Sequence, residues 1–153
     1  MDINSLTIGI IAGLITTLLI VILKSMFDKI LIPWYEQRVY KDIKISGKWD
    51  AKYEANYGRE IITINQTAHY ISGTIITTTG EDKGNIYSFE GIFKNLILTA
   101  SYSSNNRTSI DRGTITLRIE DNGNKLVGYC ALYDDDSQKI KSIKYNLKRK
   151  DKA

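Results

Sequence analysis

The chain has 153 residues, of which 42% are hydrophobic and 25% charged, and its formal net charge is +4 at pH 7. This length leaves room for one domain of ordinary size beside a short helical segment, and it excludes a large multidomain assembly. Because Cys130 and His69 are the single residues of their types, the sequence excludes an intrachain disulfide and a Cys/His zinc cluster.

The stretch Leu6–Leu23 is 18 residues long and carries no charge. As a helix rising about 1.5 Å per residue, it matches a hydrocarbon core about 30 Å thick. A cleavable signal peptide is the alternative, but Met1–Ser5 contains no Lys or Arg, and no small-x-small cleavage site follows the stretch. We therefore predict a retained transmembrane anchor over residues 1–25.

The basic residues near this predicted anchor all follow it. They are Lys24, Lys29, Arg38, Lys41 and Lys44. The positive-inside rule then predicts a single-pass protein with its carboxyl-terminal domain in the cytoplasm. The bias toward Ile, Lys, Asn and Tyr suggests an AT-rich coding sequence, which suits a bacterium. Residues 26–44 are predicted to form an amphipathic neck, in which Pro33 ends a helical segment that begins at Met26.

From Ile45 onward the hydrophobic pattern has period two, which indicates strands. Short polar turns separate them, so consecutive strands are expected to be antiparallel neighbours. We predict an all-β domain over 45–150, an eight-stranded up-and-down antiparallel β-barrel that is lipocalin-like and removes exposed sheet edges. The predicted strands are approximately 46–57, 59–66, 69–79, 85–95, 96–105, 110–120, 125–133 and 138–149.

The alternation places apolar residues at the Trp49 end of this barrel and aromatic, hydroxyl and charged residues at the other end. Tyrosine rings can stack on bases, and Arg or Lys can neutralise phosphates, so the second end is a predicted ligand site. The alternative is that the tyrosines are core residues with their hydroxyls at the wet end, and that Lys141 extends to solvent. The predicted ligand-binding residues are Tyr53, Tyr57, Arg59, Thr77, Thr79, Tyr87, Tyr102, Arg107, Asp111 and Lys141.

Other patterns bear on cavity and chemistry. Gly73, Gly91, Gly113 and Gly128 are predicted to face inward, where they either leave space or allow the strands to bend. No carboxylate pair, glycine-rich phosphate loop or metal motif is present, so we predict no catalytic residue, no metal ligand and no enzymatic activity.

Gly47-Lys48-Trp49 at the first strand matches the Gly-x-Trp signature of lipocalin-like and avidin-like barrels. With the Leu6–Leu23 segment, the basic neck and the eight-stranded meander, the chain resembles the transmembrane β-barrel effectors of bacterial cyclic-oligonucleotide-based antiphage systems (CBASS). The resemblance implies that the barrel binds a cyclic dinucleotide made by a partner nucleotidyltransferase. It further implies homo-oligomerisation, disruption of the inner membrane and growth arrest, with no cofactor and no direct binding of nucleic acid.

Two other functions are compatible with the same pattern. A membrane-tethered lipocalin-like carrier would hold a small apolar ligand in a dry, apolar cavity. A structural interaction module would have a fully packed barrel without an accessible cavity.

Overall fold

A computed structural model of the chain describes residues 3–40, 43–54, 58–80, 82–106, 108–134 and 137–150. The chain forms two compact units, Met1–Tyr40 and Lys41–Ala153, and each is described by itself.

The first unit is helical. Helix α1 spans Ile3–Met26, a π-helical turn spans Phe27–Leu31, and helix α2 spans Ile32–Val39. Within the described residues, Thr7–Glu36 is the one helical stretch long and apolar enough to cross a membrane, judged by length and composition. A signal sequence near the amino terminus has the same features.

The prediction that Pro33 ends the helical segment is wrong. Pro33 lies in the first turn of α2, and the backbone keeps right-handed helical angles at Leu31 and Ile32. The Ile32 N–H donates to the Phe27 carbonyl oxygen, five residues back. Proline lacks an N–H and crowds the preceding turn, and a widened turn at that point lets the helix continue past it.

The second unit is a closed antiparallel β-barrel in which each strand pairs with its neighbours in sequence and β8 pairs with β1. This confirms the predicted fold class. The described residues form strands β1 Gly47–Tyr53, β2 Arg59–Thr67, β3 Tyr70–Thr77, β4 Ile86–Lys94, β5 Ile97–Ser104, β6 Arg112–Glu120, β7 Lys125–Asp134 and β8 Lys139–Arg149.

One end of the barrel is closed by packed side chains around Trp49, which is fully buried. The Trp49 indole N–H donates to the Ile45 carbonyl oxygen at 2.9 Å. Arg149 lies on β8, which pairs with β1, and its guanidinium lies 4.6 Å from the centroid of the Trp49 ring. Short turns join the strands here, including Thr67 to Tyr70 and Lys94 to Ile97, so little backbone needs covering.

The inward glycines do not leave empty space. A Cβ on Gly73 would lie 2.7 Å from the Phe89 ring, and a Cβ on Gly113 would lie 2.6 Å from Tyr102. Phe89 and Tyr102 are the cross-strand partners of these glycines, so each aromatic ring covers a glycine backbone. The glycines therefore let large rings fit inside a narrow barrel, and the free volume lies elsewhere.

Candidate ligand-binding site

The opposite end of the barrel contains an open cavity of about 400 Å³. Its walls come from residues of all eight strands, and its rim comes from the segments that follow β3 and β5 and from the end of β7. The inner walls include the apolar residues Ile75, Ile115, Leu132 and Ile143. Small-molecule sites commonly enclose about 300–1,000 Å³, so the cavity fits a ligand of modest size.

Six of the ten predicted ligand-binding residues line this cavity. They are Tyr53, Thr77, Tyr87, Tyr102, Asp111 and Lys141. Tyr57 and Arg107 lie outside the described residues. These six come from β1, β3, β4, β5, β8 and the segment before β6, so residues far apart in sequence meet at one opening.

Arg59 and Thr79 lie outside the cavity and line a groove on the outer face of the barrel. The Thr79 hydroxyl accepts a hydrogen bond from the Arg59 backbone N–H at 2.8 Å. Alternation explains the position of Arg59, because its neighbour Glu60 is buried and successive side chains on a strand point to opposite faces.

Glu60 is the buried charged residue of the cavity that the sequence analysis did not include, and the rim residues Asp82 and Asp134 were also not predicted. The Glu60 side chain is only 7% exposed, and its carboxyl accepts hydrogen bonds from three hydroxyls. Tyr145 donates to Oε2, while Tyr53 and Thr77 each donate to Oε1 at 3.4 Å. The signal was available, because Glu60 has the same parity as Ile62 and Ile64, both predicted to face inward.

Burial dominates the titration of this cluster. Desolvation raises the pKa of Glu60 above its ordinary value, and the hydrogen bonds from Tyr145, Tyr53 and Thr77 oppose that shift in part. Burial, followed by the charge of Glu60, raises the pKa of Tyr145 and of Tyr53. Both tyrosines therefore keep their protons at neutral pH and act as donors to the carboxyl.

Aromatic rings form much of the remaining wall. Tyr53 and Tyr145 stack with centroids 4.6 Å apart, and Tyr87 meets Tyr102 edge to face at 5.7 Å. The Tyr87 hydroxyl donates to Asp111 Oδ2 at 2.8 Å, so Asp111 is held by a tyrosine. The Cys130 thiol lies 3.8 Å from the Tyr102 hydroxyl, and burial raises its pKa to about 11.

The described lining is acidic. Glu60, Asp82, Asp111 and Asp134 supply carboxyls, whereas Lys141 supplies the one ammonium group among the lining residues that the structure describes. Lys141 Nζ lies 2.6 Å from Asp134 Oδ2. Hydrogen bonds from Lys141 and Ser137 lower the pKa of Asp134 to about 2. Lys141 thus faces the opening as predicted, but an aspartate already neutralises it.

The cavity can therefore bind through stacking on tyrosine rings, through donors that face Glu60, and through apolar contacts along its walls. Within the described ranges, no group of three or more His, Cys, Asp and Glu side chains is placed to hold a metal ion. Comparisons of the chain with protein-family models, with curated proteins and with solved structures give no match.

Proposed function

We propose that this protein is a membrane-anchored receptor that holds a small polar ligand in the open end of its barrel. The observation that supports this most strongly is the cavity of about 400 Å³, in which buried hydroxyl and carboxyl groups converge beside aromatic rings. A barrel that served only as a structural module would fill such a space with packed side chains.

Our proposed ligand is a cyclic dinucleotide, which the resemblance to CBASS effectors implies. The rings of Tyr53, Tyr87, Tyr102 and Tyr133 line the cavity and offer surfaces for a base. The acidic lining disfavours a buried phosphate. We therefore propose that a base enters the cavity while the phosphates stay at the rim, where the side chain of Lys141 is 43% exposed.

Membrane anchoring is the second part of the proposal. Thr7–Glu36 can span a bilayer, and the positive charges that follow the apolar stretch favour a cytoplasmic barrel. Confinement of the barrels to a membrane raises their effective concentration, so ligand binding can drive homo-oligomerisation at modest affinity. In this proposal the clustered anchors disrupt the inner membrane and arrest growth, as an antiphage effector would.

The binding step can be tested with the full chain in lipid nanodiscs, by calorimetric titration with a panel of cyclic dinucleotides. Lys141→Trp would fill the opening, and Ile140→Trp is the matched control because Ile140 is 76% exposed on the same strand. We expect micromolar or tighter binding by the wild type and by Ile140→Trp, and at least about tenfold weaker binding by Lys141→Trp. Absence of binding by every cyclic dinucleotide, or equal binding by the two variants, would overturn this assignment.

The membrane step can be tested in bacterial cells that also produce the ligand, by entry of a membrane-impermeant dye. Ile15→Arg places a charge in the middle of the apolar helix, which costs about 2.5–3.5 kcal/mol of insertion free energy. We expect dye entry with the wild type and none with Ile15→Arg. Dye entry that is independent of the ligand, or equal for the two proteins, would contradict the proposed mechanism.

A carrier of a small apolar ligand is the second candidate. The walls formed by Ile75, Ile115, Leu132 and Ile143 favour it. The Glu60 cluster argues against it, because an apolar ligand would exclude water from this buried carboxyl and offer it no further hydrogen bond. Native mass spectrometry of protein purified from cells distinguishes the two, since a carrier would retain a lipid that Lys141→Trp excludes.

A further inference from the structure

The cavity holds a buried carboxyl at a position where the strand pattern calls for an aliphatic residue. Glu60 occupies an inward position on β2, where the next inward residues are Ile62 and Ile64. An aliphatic residue would continue that pattern and would bury apolar surface without desolvating a charge. Among the described residues, none of the ion pairs includes Glu60.

The two oxygens of this carboxyl are not equally satisfied. Oε2 accepts a hydrogen bond from Tyr145, which is fully buried and fixes the orientation of the group. Oε1 is reached by Tyr53 and Thr77 only at 3.4 Å, whereas hydroxyl donors commonly lie about 2.7–2.8 Å from their acceptors. The two donors to Oε1 line the cavity, whereas Tyr145, the donor to Oε2, does not. We therefore assign Oε1 to the cavity side of the group, where its long hydrogen bonds leave it acceptor capacity.

The surroundings restrict what can use that acceptor. The charges lining the described cavity are mostly negative, and the single ammonium, on Lys141, is paired with Asp134. A phosphate or carboxylate of a ligand would be repelled at Oε1, whereas an N–H donor would be attracted. The Tyr53 ring, which lines the cavity and stacks on the buried Tyr145 ring, offers a flat surface that suits a planar heterocycle.

We propose that Glu60 is a specificity-determining residue that receives the amino edge of a nucleobase at Oε1, with Tyr145 holding the carboxyl in place. This inference rests on the proposed function and adds to it which edge of the base enters the cavity. Guanine presents adjacent N–H donors that match a carboxylate, adenine and cytosine present one amino group, and uracil flanks its single N–H with carbonyls. The expected order of affinity is guanine, then adenine or cytosine, then uracil.

The test uses the full chain in nanodiscs and calorimetric titration with cyclic dinucleotides of guanine, adenine and uracil, and with guanosine and uridine as phosphate-free probes. Glu60→Gln replaces one carboxyl oxygen by an amide N–H₂ donor, and Glu90→Gln is the control because Glu90 is exposed on β4. We expect the wild type and Glu90→Gln to bind the guanine probes at least about tenfold more tightly than the uracil probes. Glu60→Gln should lose that preference and leave uracil binding unchanged.

The outcomes separate this inference from the function on which it rests. Binding of cyclic dinucleotides with no change in base preference in Glu60→Gln would overturn the role of Glu60 and leave the receptor proposal intact. If guanosine binds in a Glu60-dependent way and no cyclic dinucleotide binds, the cyclic-dinucleotide receptor proposal is overturned and the role of Glu60 remains. Absence of all binding would overturn both the receptor proposal and the role of Glu60. A preference for uracil would overturn the assignment of an N–H donor edge at Glu60.

A second variant keeps the test decisive if Glu60→Gln fails to fold. Glu60→Asp retains a carboxyl group but is one methylene shorter, so its carboxyl is withdrawn from the cavity. We expect it to lose the guanine preference while its circular dichroism spectrum matches that of the wild type. Retention of the full preference by Glu60→Asp would contradict the assigned position of Oε1.

Discussion

Arg149 closes the base of the barrel, and its replacement is the sharpest test of how this end is held. The guanidinium lies 4.6 Å from the centroid of the Trp49 ring. It also donates to three backbone carbonyl oxygens, at 3.1 Å to Gly123, 3.1 Å to Ser46 and 2.9 Å to Lys44. One side chain thus joins β8, the β6–β7 turn and the segment that enters β1.

The cost of Arg149→Ala can be worked from these contacts. A cation–π contact contributes about 0.5–2 kcal/mol, depending on desolvation. Hydrogen bonds from a charged donor contribute about 1.5 kcal/mol or less each where solvent competes, as it does for two of these three. We expect a loss of about 2–4 kcal/mol in the free energy of unfolding. Arg149→Lys should recover part of it, because an ammonium keeps the charge but cannot span three carbonyls.

Urea unfolding of the full chain in mild detergent, followed by tryptophan fluorescence, measures this loss. The background variant Trp34→Phe leaves Trp49 as the reporter, since the chain has two tryptophans. Lys148→Ala is the control, because Lys148 is exposed on the same strand and should change stability by less than about 0.5 kcal/mol. If Arg149→Ala unfolds within that same margin of the wild type, the reasoning about the closed end is refuted.

Three further predictions concern the barrel interior. Gly113→Ala should lower the free energy of unfolding by about 1–3 kcal/mol, because the added Cβ would lie 2.6 Å from Tyr102. Thr114→Ala, on the outer face of the same strand, is the control and should have little effect. Urea titration measures the free energy of unfolding of both variants. Burial raises the pKa of Glu60, so its contribution to stability is full below its unfolded pKa of about 4.3 and is lost as pH rises through the folded pKa. Glu60→Gln should therefore gain in melting temperature relative to the wild type from about pH 4 upward, and a parallel pH dependence of the two melting curves would contradict this. Cys130 is buried, and burial raises its pKa to about 11. A thiol reagent should therefore label Cys130 only after the protein is unfolded in urea. Rapid labelling of the native protein would show that this wall of the barrel opens.

The strands were predictable because alternation is a local property of the chain. Each predicted strand corresponds to one in the structure, and short turns at the Trp49 end gave the antiparallel order. The differences lie at the open end, where β3 ends at Thr77 rather than at 79. There the backbone leaves the ladder for longer rim segments, and the sequence pattern carries no signal for where pairing stops.

The helix beyond the apolar stretch is a case in which a local sequence signal gave a wrong prediction. Pro33 is a strong local signal for a helix end, yet the helix passes it because the turn Phe27–Leu31 takes π geometry. A proline signal assumes regular α-helical hydrogen bonding in the preceding turn, and a single wide turn removes that assumption.

The candidate site was predicted in its location but not in its charge. Period two placed Tyr53, Tyr87, Tyr102 and Lys141 at one opening, and the structure brings them together. The same rule would have included Glu60, but a charged residue at the end of a strand is ordinarily assigned to solvent.

Local periodicity, turn residues and the long apolar stretch were sufficient to predict the strand count, the antiparallel order of consecutive strands and the helical segment before them, because each of these depends on residues close in sequence. Closure of the barrel pairs β1 with β8, which lie far apart in sequence, and it was predicted because it removes exposed sheet edges. The acidic lining depends on the closure of the barrel, which brings Asp82 and Asp111 from two rim segments and Asp134 from the end of β7 into the same lining as Glu60. Which side chains share that cavity, and whether Lys141 is already neutralised, follows from three-dimensional distances that strand pairing alone does not specify.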